Sequence, residues 1–343
     1  CRRILQEANQ YQRLLGVDGK GENFQESGNL LALAYPDRIA QKKPGSSQHL
    51  LSSGRGVVLP VGDHLHQADF LVAAHVDGGK KQGRIFLAAA LSLDEVIAGH
   101  GHLLTRKDRV VWNKTQVETS SILSLGKLEL AREPLREVDP YRVKGCLVEG
   151  IKQTGIDCLG WRKKSRELQA RMQSAHVWDP DKWPDVSDIN LEQDLSWLEP
   201  YLESITTLKQ LKQLDVYPIL LSLLSWSEQQ ELDRLVPTHL QVPSGSKIRL
   251  LYQPGEPPIL PVRLQEMFGS TATPRVFNGK VSVLVHLLSP AGRAIQVTQD
   301  LTGFWQRTYV EVKKELKGRY PKHFWPDDPL TAKATSRVRP RKS

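Results

Sequence analysis

From about residue 27 to 137 the chain is a succession of short apolar runs cut by Gly, Asp, Asn and Ser clusters, and from 138 to 236 apolar residues recur at helical spacing instead. This change of period, from about 2 to about 3.6 residues, rules out a single uniform layer and calls for an α+β chain of several domains. Candidate strands are His49 to Leu51, Gly56 to Leu59, Asp69 to His75, Arg84 to Ala89, Arg109 to Asn113 and Gly126 to Leu130, with a short helix near Leu93 to Ala98. About five or six short strands with turn signals suit a small barrel of the oligonucleotide-binding (OB-like) type.

Helix signals follow. Asp139 and Pro140 form an N-cap and first-turn pair before the Val143, Leu147, Ile151 stripe, which Gly155 ends. Leu168, Met172 and Ala175 repeat the pattern after a Lys- and Arg-rich start, and Leu208, Leu211 and Leu214 give a further stripe. Asn190 with Gln193, and Ser225 with Glu228, have capping-box spacing. Beyond them, His239 to Val242, the Pro243-Ser244-Gly245-Ser246 turn and Lys247 to Tyr252 read as a hairpin, followed by a short helix around Val262 to Phe268. Val281 to Leu288, Pro290-Ala291-Gly292 and Ala294 to Thr298 read as a second hairpin, with a last helix after Asp300. The expected domains are therefore the end of a helical bundle (1–20), an OB-like barrel (21–137), a helical module (138–236), a mixed α/β module of ββαββα order (237–329) and a basic tail (330–343) without structure of its own.

At 343 residues the chain has room for about two or three cores. Ile4, Ala8, Tyr11 and Leu15 make a stripe too narrow for a core, and the chain opens inside it at Cys1, so it is expected to be part of a longer protein. No apolar run reaches the roughly 18 residues of a membrane span, and the best, Val216 to Trp226, carries Pro218. There is no signal-peptide pattern. Cys1, Cys146 and Cys158 form no CxxC, which argues against a disulfide framework or a zinc knuckle and fits a reducing, cytoplasmic setting.

Charge is uneven. Residues 301–343 hold 11 Lys and Arg against 4 Asp and Glu, a net +7 of the +9 of the whole chain. A basic surface of this kind suits a polyanion, with nucleic acid first. Within Leu301 to Trp325, Leu301, Trp305, Val312 and Leu316 share one helical side, while Arg307, Lys314, Arg319, Lys322 and His323 could track phosphates, with Trp325 or Tyr320 stacking on a base. The same cations would also stabilise a helix C-terminus through its dipole. In the barrel region Arg38, Lys42, Lys43 and Arg55, the last in a Ser-Gly-Arg-Gly turn, are candidate strand-binding cations.

Catalytic patterns are missing. There is no GxxxxGK[ST], no GxGxxG opening a helix and no GxSxG elbow, so no catalytic or cofactor-binding residue is assigned. Asp77-Gly78-Gly79-Lys80-Lys81 reads as a hairpin turn. His64 with His66, and His100 with His102, form HxH pairs without the third ligand and carboxylate of a hydrolytic metal centre, so no metal site is assigned.

Several stretches resemble a known family. Gly28-Asn29-Leu30-Leu31-Ala32-Leu33-Ala34-Tyr35-Pro36-Asp37-Arg38-Ile39-Ala40 resembles the start of the OB-like domain of DEAH/RHA-type ATP-dependent RNA helicases. Pro237 to Leu240, Val242 to Ser246, Val262 to Gly269, Leu288 to Arg293, Gln296 to Leu301 and the Arg319-Tyr320-Pro321-Lys322-His323 and Trp325-Pro326 exit resemble the C-terminal extension of a bacterial branch of that family. The resemblance implies the C-terminal part of such a helicase, with ATP and Mg²⁺ bound by motor domains upstream, in cis. The expected role is accessory: guiding single-stranded RNA or recruiting a protein partner. Two other classes stay open, a protein-docking module (138–330) without RNA contact and a metal-dependent hydrolase.

Overall fold

The computed structural model describes residues 2–17, 26–77, 82–135 and 137–340. It divides into two compact units, one made of residues 1–111 and 118–139, the other of 112–117 and 140–343.

The first unit begins with α1 (Arg2–Leu15), ended by Gly16 in the left-handed region. Of its stripe, Ala8, Tyr11 and Leu15 are exposed, as are Leu5 and Leu14 beside them. Helix α2 (Ser27–Ala34) packs so tightly that a Cβ on Gly28 would sit 2.3 Å from the Ala90 carbonyl oxygen. Then come β1 (Ile39–Lys42), β2 (Gln48–Leu51), β3 (Gly56–Val58), β4 (Phe70–Val76) and β5 (Gly83–Leu91), closed into a barrel in the order β1-β2-β3-β5-β4. Antiparallel β1–β4 pairing closes it and β3–β5 is its parallel pair.

Alternation along the strands sorts side chains to two cores. Ala40, Leu51, Val57, Leu71, Ala73 and Ile85 form one cluster. Ile39, Phe70, Val72 and Leu91 form the other, with Ala32 of α2 and Val96 of α3 (Leu93–Gly99). Helix α3 starts at a capping box, with Ser92 accepting from the Glu95 N–H and Glu95 accepting from the Ser92 N–H. A separate sheet follows, in the order β6 (Leu104–Trp112), β7 (Val117–Leu125) and β8 (Leu128–Pro134). Its Leu125, Leu128 and Leu130 join the second cluster. Gly126 turns β7 into β8 at φ +57°, where a Cβ would lie 2.3 Å from the Ser52 carbonyl oxygen. The barrel thus has five strands, and two of the expected strands belong to the separate sheet. Strands β1 and β7 have no counterpart in the sequence reading. Gly78 to Lys81 of the expected hairpin turn lie outside the described residues.

The second unit carries α4 (Pro140–Thr154), α5 (Lys163–Trp178), α6 (Asp188–Gln193), α7 (Leu208–Gln213), α8 (Val216–Leu221) and α9 (Trp226–Leu235). The cap of α6 lies three residues before the expected Asn190, because it is the Ser187 hydroxyl that accepts the Asn190 N–H. The Ser225–Glu228 capping box opens α9 as its spacing indicates. Residues 112–117 belong to this unit: Val117 donates to Thr206 O and Leu208 donates to Thr115 O, each at 2.7 Å. The Trp112 ring lies where a Cβ on Gly150 of α4 would come within 2.5 Å of it.

The hairpin of β9 (His239–Gln241) and β10 (Lys247–Arg249) forms as expected. The next element does not. The expected helix at Val262 to Phe268 is β11 (Ile259–Arg263) followed by a 3-10 turn at Leu264–Met267. β11 lies parallel to β14 (Leu284–Leu288), which pairs antiparallel with β15 (Ala294–Thr298), so buried Leu260 and Val262 face core partners that the local sequence does not contain. With the small pair β12 (Arg275–Val276) and β13 (Val281–Ser282) in between, the ββαββα repeat is absent from the observed order. After the Asp300 cap, α10 (Leu301–Gly303) runs through a π turn at Phe304–Thr308 into α11 (Tyr309–Arg319).

One continuous hydrophobic cluster runs from Leu147 in α4 to Trp325 beyond α11, so the helical and α/β modules that the sequence separates share a core. The basic tail has no helix or strand from 330 to 340, yet it packs: Thr335 donates to Gln265 O and Val338 O accepts from the Phe324 N–H. Among the described residues no helix is long and apolar enough to cross a membrane.

Candidate nucleic-acid interface

Three of the four barrel cations of the sequence reading, Arg38, Lys42 and Arg55, are engaged by the fold, while Lys43 is exposed. Arg38 lies half-buried at the end of a 3-10 turn, its guanidinium 2.8 Å from the Ala74 carbonyl oxygen and 4.7 Å from the Tyr35 ring centroid. Lys42 donates to His66 O at 2.8 Å, and Arg55 donates to Asp77 O at 2.8 Å with the Asp77 carboxylate 3.9 Å away. Each satisfies a backbone carbonyl: that of Ala74 at the irregular register within β4, that of His66 in the 3-10 turn before β4, and that of Asp77 just after it. Arg55 keeps about a third of its side chain exposed, at 37%.

The terminal helix behaves in a similar way. Arg307 pairs with Asp300 at 2.9 Å, Lys313 with Asp327, and Arg319 with Glu315 at 3.1 Å. Lys314 and Lys322 are exposed and have no ion partner among the described residues. Trp325 and Tyr320 are not stacking platforms. Trp325 is only 8% exposed and donates its indole N–H to Tyr320 O at 2.9 Å, while Tyr320 is half-buried with its ring edge-on to His323. The aromatic residues here build the core: Trp305 and Tyr309 meet Phe268, and Phe304, Trp305 and Tyr309 meet one another, at 5.0–6.5 Å. Burial pushes the Tyr309 phenol above its ordinary range, and its hydroxyl donates to Pro326 O.

The histidine pairs do not converge. His100 is buried, with its ring nitrogens on Val96 O and Ala32 O, and His66 meets Pro60 O. Among the described residues no three His, Cys, Asp or Glu side chains come together.

The open aromatic surface lies elsewhere, on the outer face of β4 and β5. Phe86 is 58% exposed, with the His75 ring edge-on at 5.3 Å and the Arg84 guanidinium 5.9 Å from its centroid. Alternation along β5 explains the placement. Gly83 and Ile85 point inward, so Arg84 and Phe86 share the outward face, and Leu87 beyond them is also exposed. Irregular register around His75 keeps it on the same side, opposite Leu87. The signal in the sequence is an aromatic residue at an outward position of a strand whose inward positions are already filled.

The chain as a whole is similar to known proteins. Residues 197–329 match the family model described as ATP-dependent helicase C-terminal. Over 340 residues the chain is 36% identical to the ATP-dependent RNA helicase HrpB of Escherichia coli strain K12, covering 97% of this chain and 42% of that protein. Crystal structures of E. coli HrpB match the fold. The one described as a DExH-box NTPase has a TM-score of 0.58 at 36% identity, covering 97% of this chain and 42% of that one. The one described as a DEAH/RHA helicase has a TM-score of 0.50 at 32% identity, covering 94% and 41%. The chain spans less than half the length of these relatives. In sequence and in fold alike, the chain is similar to the C-terminal region of the HrpB-like helicases, whose C-terminal family model its residues 197–329 match.

Proposed function

We propose that the chain is an accessory region of an ATP-dependent RNA helicase, and that it holds single-stranded RNA on the outer face of its barrel while ATP and Mg²⁺ are handled by motor domains in cis. The barrel is read as OB-like on its strand order, β1-β2-β3-β5-β4 with one parallel pair. Phe86 carries the reading. An exposed ring with an arginine and a histidine beside it suits a base on the ring and a phosphate on the cation.

The test is binding of labelled single-stranded RNA to this chain across a salt series. Phe86→Ala should weaken binding by about 1–3 kcal/mol, the worth of one base–aromatic stack, without changing the salt slope. Absence of RNA affinity at low salt would sink the RNA reading. In the same assay Lys314→Ala/Arg319→Ala/Lys322→Ala asks whether the terminal helix contributes.

Protein docking through the second unit is the other reading, supported by exposed Trp226 at 72%. It predicts that Trp226→Ala leaves RNA affinity intact and removes a partner recovered with the parent chain.

A further inference from the structure

The start of α5 breaks a local rule. Arg162, Lys163, Lys164 and Arg166 crowd its N-terminus and no acidic residue stands in its first turn, although the helix dipole disfavours cations at that end. Local conflicts of this kind are expected where a site is being built.

Beside this turn opens a cleft of about 920 Å³, which also takes lining from Tyr217 and from Leu250 to Tyr252. Six basic side chains line it against two acidic ones, Glu167 and Asp215. Four of the six have partners within the fold. Arg162 is 4.0 Å from Asp215, Arg166 bonds Asp157 and Asp188, buried Arg171 bonds Asp233 and Val236 O, and Arg249 bonds Glu167. Lys163 and Lys164 are exposed and have no ion partner among the described residues. Tyr217 is 36% exposed and lines the same cleft as the two lysines.

We infer that this cleft is a second seat for a single-stranded nucleic acid, with Lys163 and Lys164 each meeting a backbone phosphate and Tyr217 offering a face to a base. The choice of ligand class rests on the RNA reading given for the barrel; the location does not. Lysines are point charges on flexible stems, suited to phosphates whose positions are only loosely fixed. Stacking on one tyrosine adds affinity without reading sequence. The ion pairs of Arg162, Arg166 and Arg249 hold the rim in place, so the two free cations sit on an ordered wall.

The test uses the full chain and a fluorescein-labelled oligouridylate of about 15 nucleotides, near the upper end of known single-strand sites, titrated between about 50 and 200 mM salt. Lys163→Gln/Lys164→Gln should weaken binding about tenfold at the lowest salt. It should also flatten the slope of log affinity against log salt by about 1.4, or about 0.7 for each lost phosphate contact. Tyr217→Ala should weaken binding with the slope unchanged. Both lysines are exposed, so the fold should persist, and circular dichroism checks it.

Equal losses in the control pair Lys280→Gln/Lys333→Gln would reduce the effect to net charge and overturn the site. Unchanged affinity and slope in the Lys163/Lys164 pair would overturn it as well. So would a labelled oligoglutamate peptide that binds the unmodified chain, is lost from the pair and leaves RNA binding intact, since the cleft would then take acidic peptides. Phe86→Ala separates the two assignments. Loss there alone refutes the cleft and keeps the barrel, loss in the lysine pair alone does the reverse, and loss in neither refutes both.

Discussion

Single residues in this protein divide sharply between those that hold the fold and those left open to solvent. His49 is fully buried on β2, with the Ala68 backbone near enough to its ring to matter. Burial lowers its proton affinity below the ordinary value, outweighing an opposing interaction with the Ala68 backbone and helped by His66 and Lys42, so the folded barrel keeps it neutral. The unfolded chain takes up a proton below about pH 6.5. The contribution is therefore harmless above that pH and becomes destabilising as pH falls toward the lowered folded value. Thermal unfolding followed at about pH 7.5 and pH 5 should show a loss of stability on acidification that His49→Leu reduces; an identical pH response in the variant would refute this assignment. Trp325 is the opposite of the stacking residue it resembles in sequence. Trp325→Ala should cost about 3–5 kcal/mol in denaturant unfolding, as a buried aromatic does, and a loss under 1 kcal/mol, the range of surface changes, would contradict the burial. Phe86, being exposed, should cost little stability when truncated. Its effect belongs to binding.

At the scale of elements, local chemistry decides where helices begin, while distant partners decide what several strands become. Ser225→Ala removes the acceptor for the Glu228 N–H at the start of α9. It should lower stability by about 0.5–2 kcal/mol, measurable by urea unfolding, whereas restoring the cap with Thr should recover most of the loss. Because such caps are local, α3, α4 and α9 are legible in the sequence, as are β2 to β5, whose alternation is strong. Other elements, α2, α8 and β12 among them, carry no signal in the sequence reading, and three more fail for different reasons. β1 follows the helical run of α2 after only a short turn, and its Ile39-Ala40-Gln41-Lys42 carries little strand character of its own. β7 is rich in Ser and Thr, which read as loop until β8 pairs with it. Val262-Arg263-Leu264-Gln265-Glu266-Met267 has helical composition, but a parallel partner twenty-odd residues later, β14, fixes its first part as strand. The candidate site was legible only in part. Arg38, Lys42 and Arg55 are recognisable as cations, but the carbonyls that engage them lie 22–36 residues away. Phe86 could be found only by assigning faces to β5, which an apolar count along the strand does not do.

At the scale of the whole chain, the tail and the unit boundary matter most. Removing residues 330–343 deletes the Thr335–Gln265 and Phe324–Val338 backbone bonds and the contacts of Ala332 and Ala334 with the core. Two lost backbone bonds alone predict a loss of about 1–3 kcal/mol, so a chain ending at Pro329 should melt at lower temperature than the full chain; equal melting would show the tail to be dispensable. The second unit also recruits residues 112–117 from within the stretch that otherwise builds the first. Trp112 occupies the space beside Gly150, and Thr115 and Val117 bond to the segment that leads into α7. A gene cut at 139/140, two residues past the boundary read from the sequence at 137/138, therefore would not free an intact second unit. It would discard an indole beside α4 and two backbone bonds, and a protein expressed from Pro140 onward would start life with a hole that only a Gly150→Leu or similar filling substitution, or a fused copy of the missing turn, could mend.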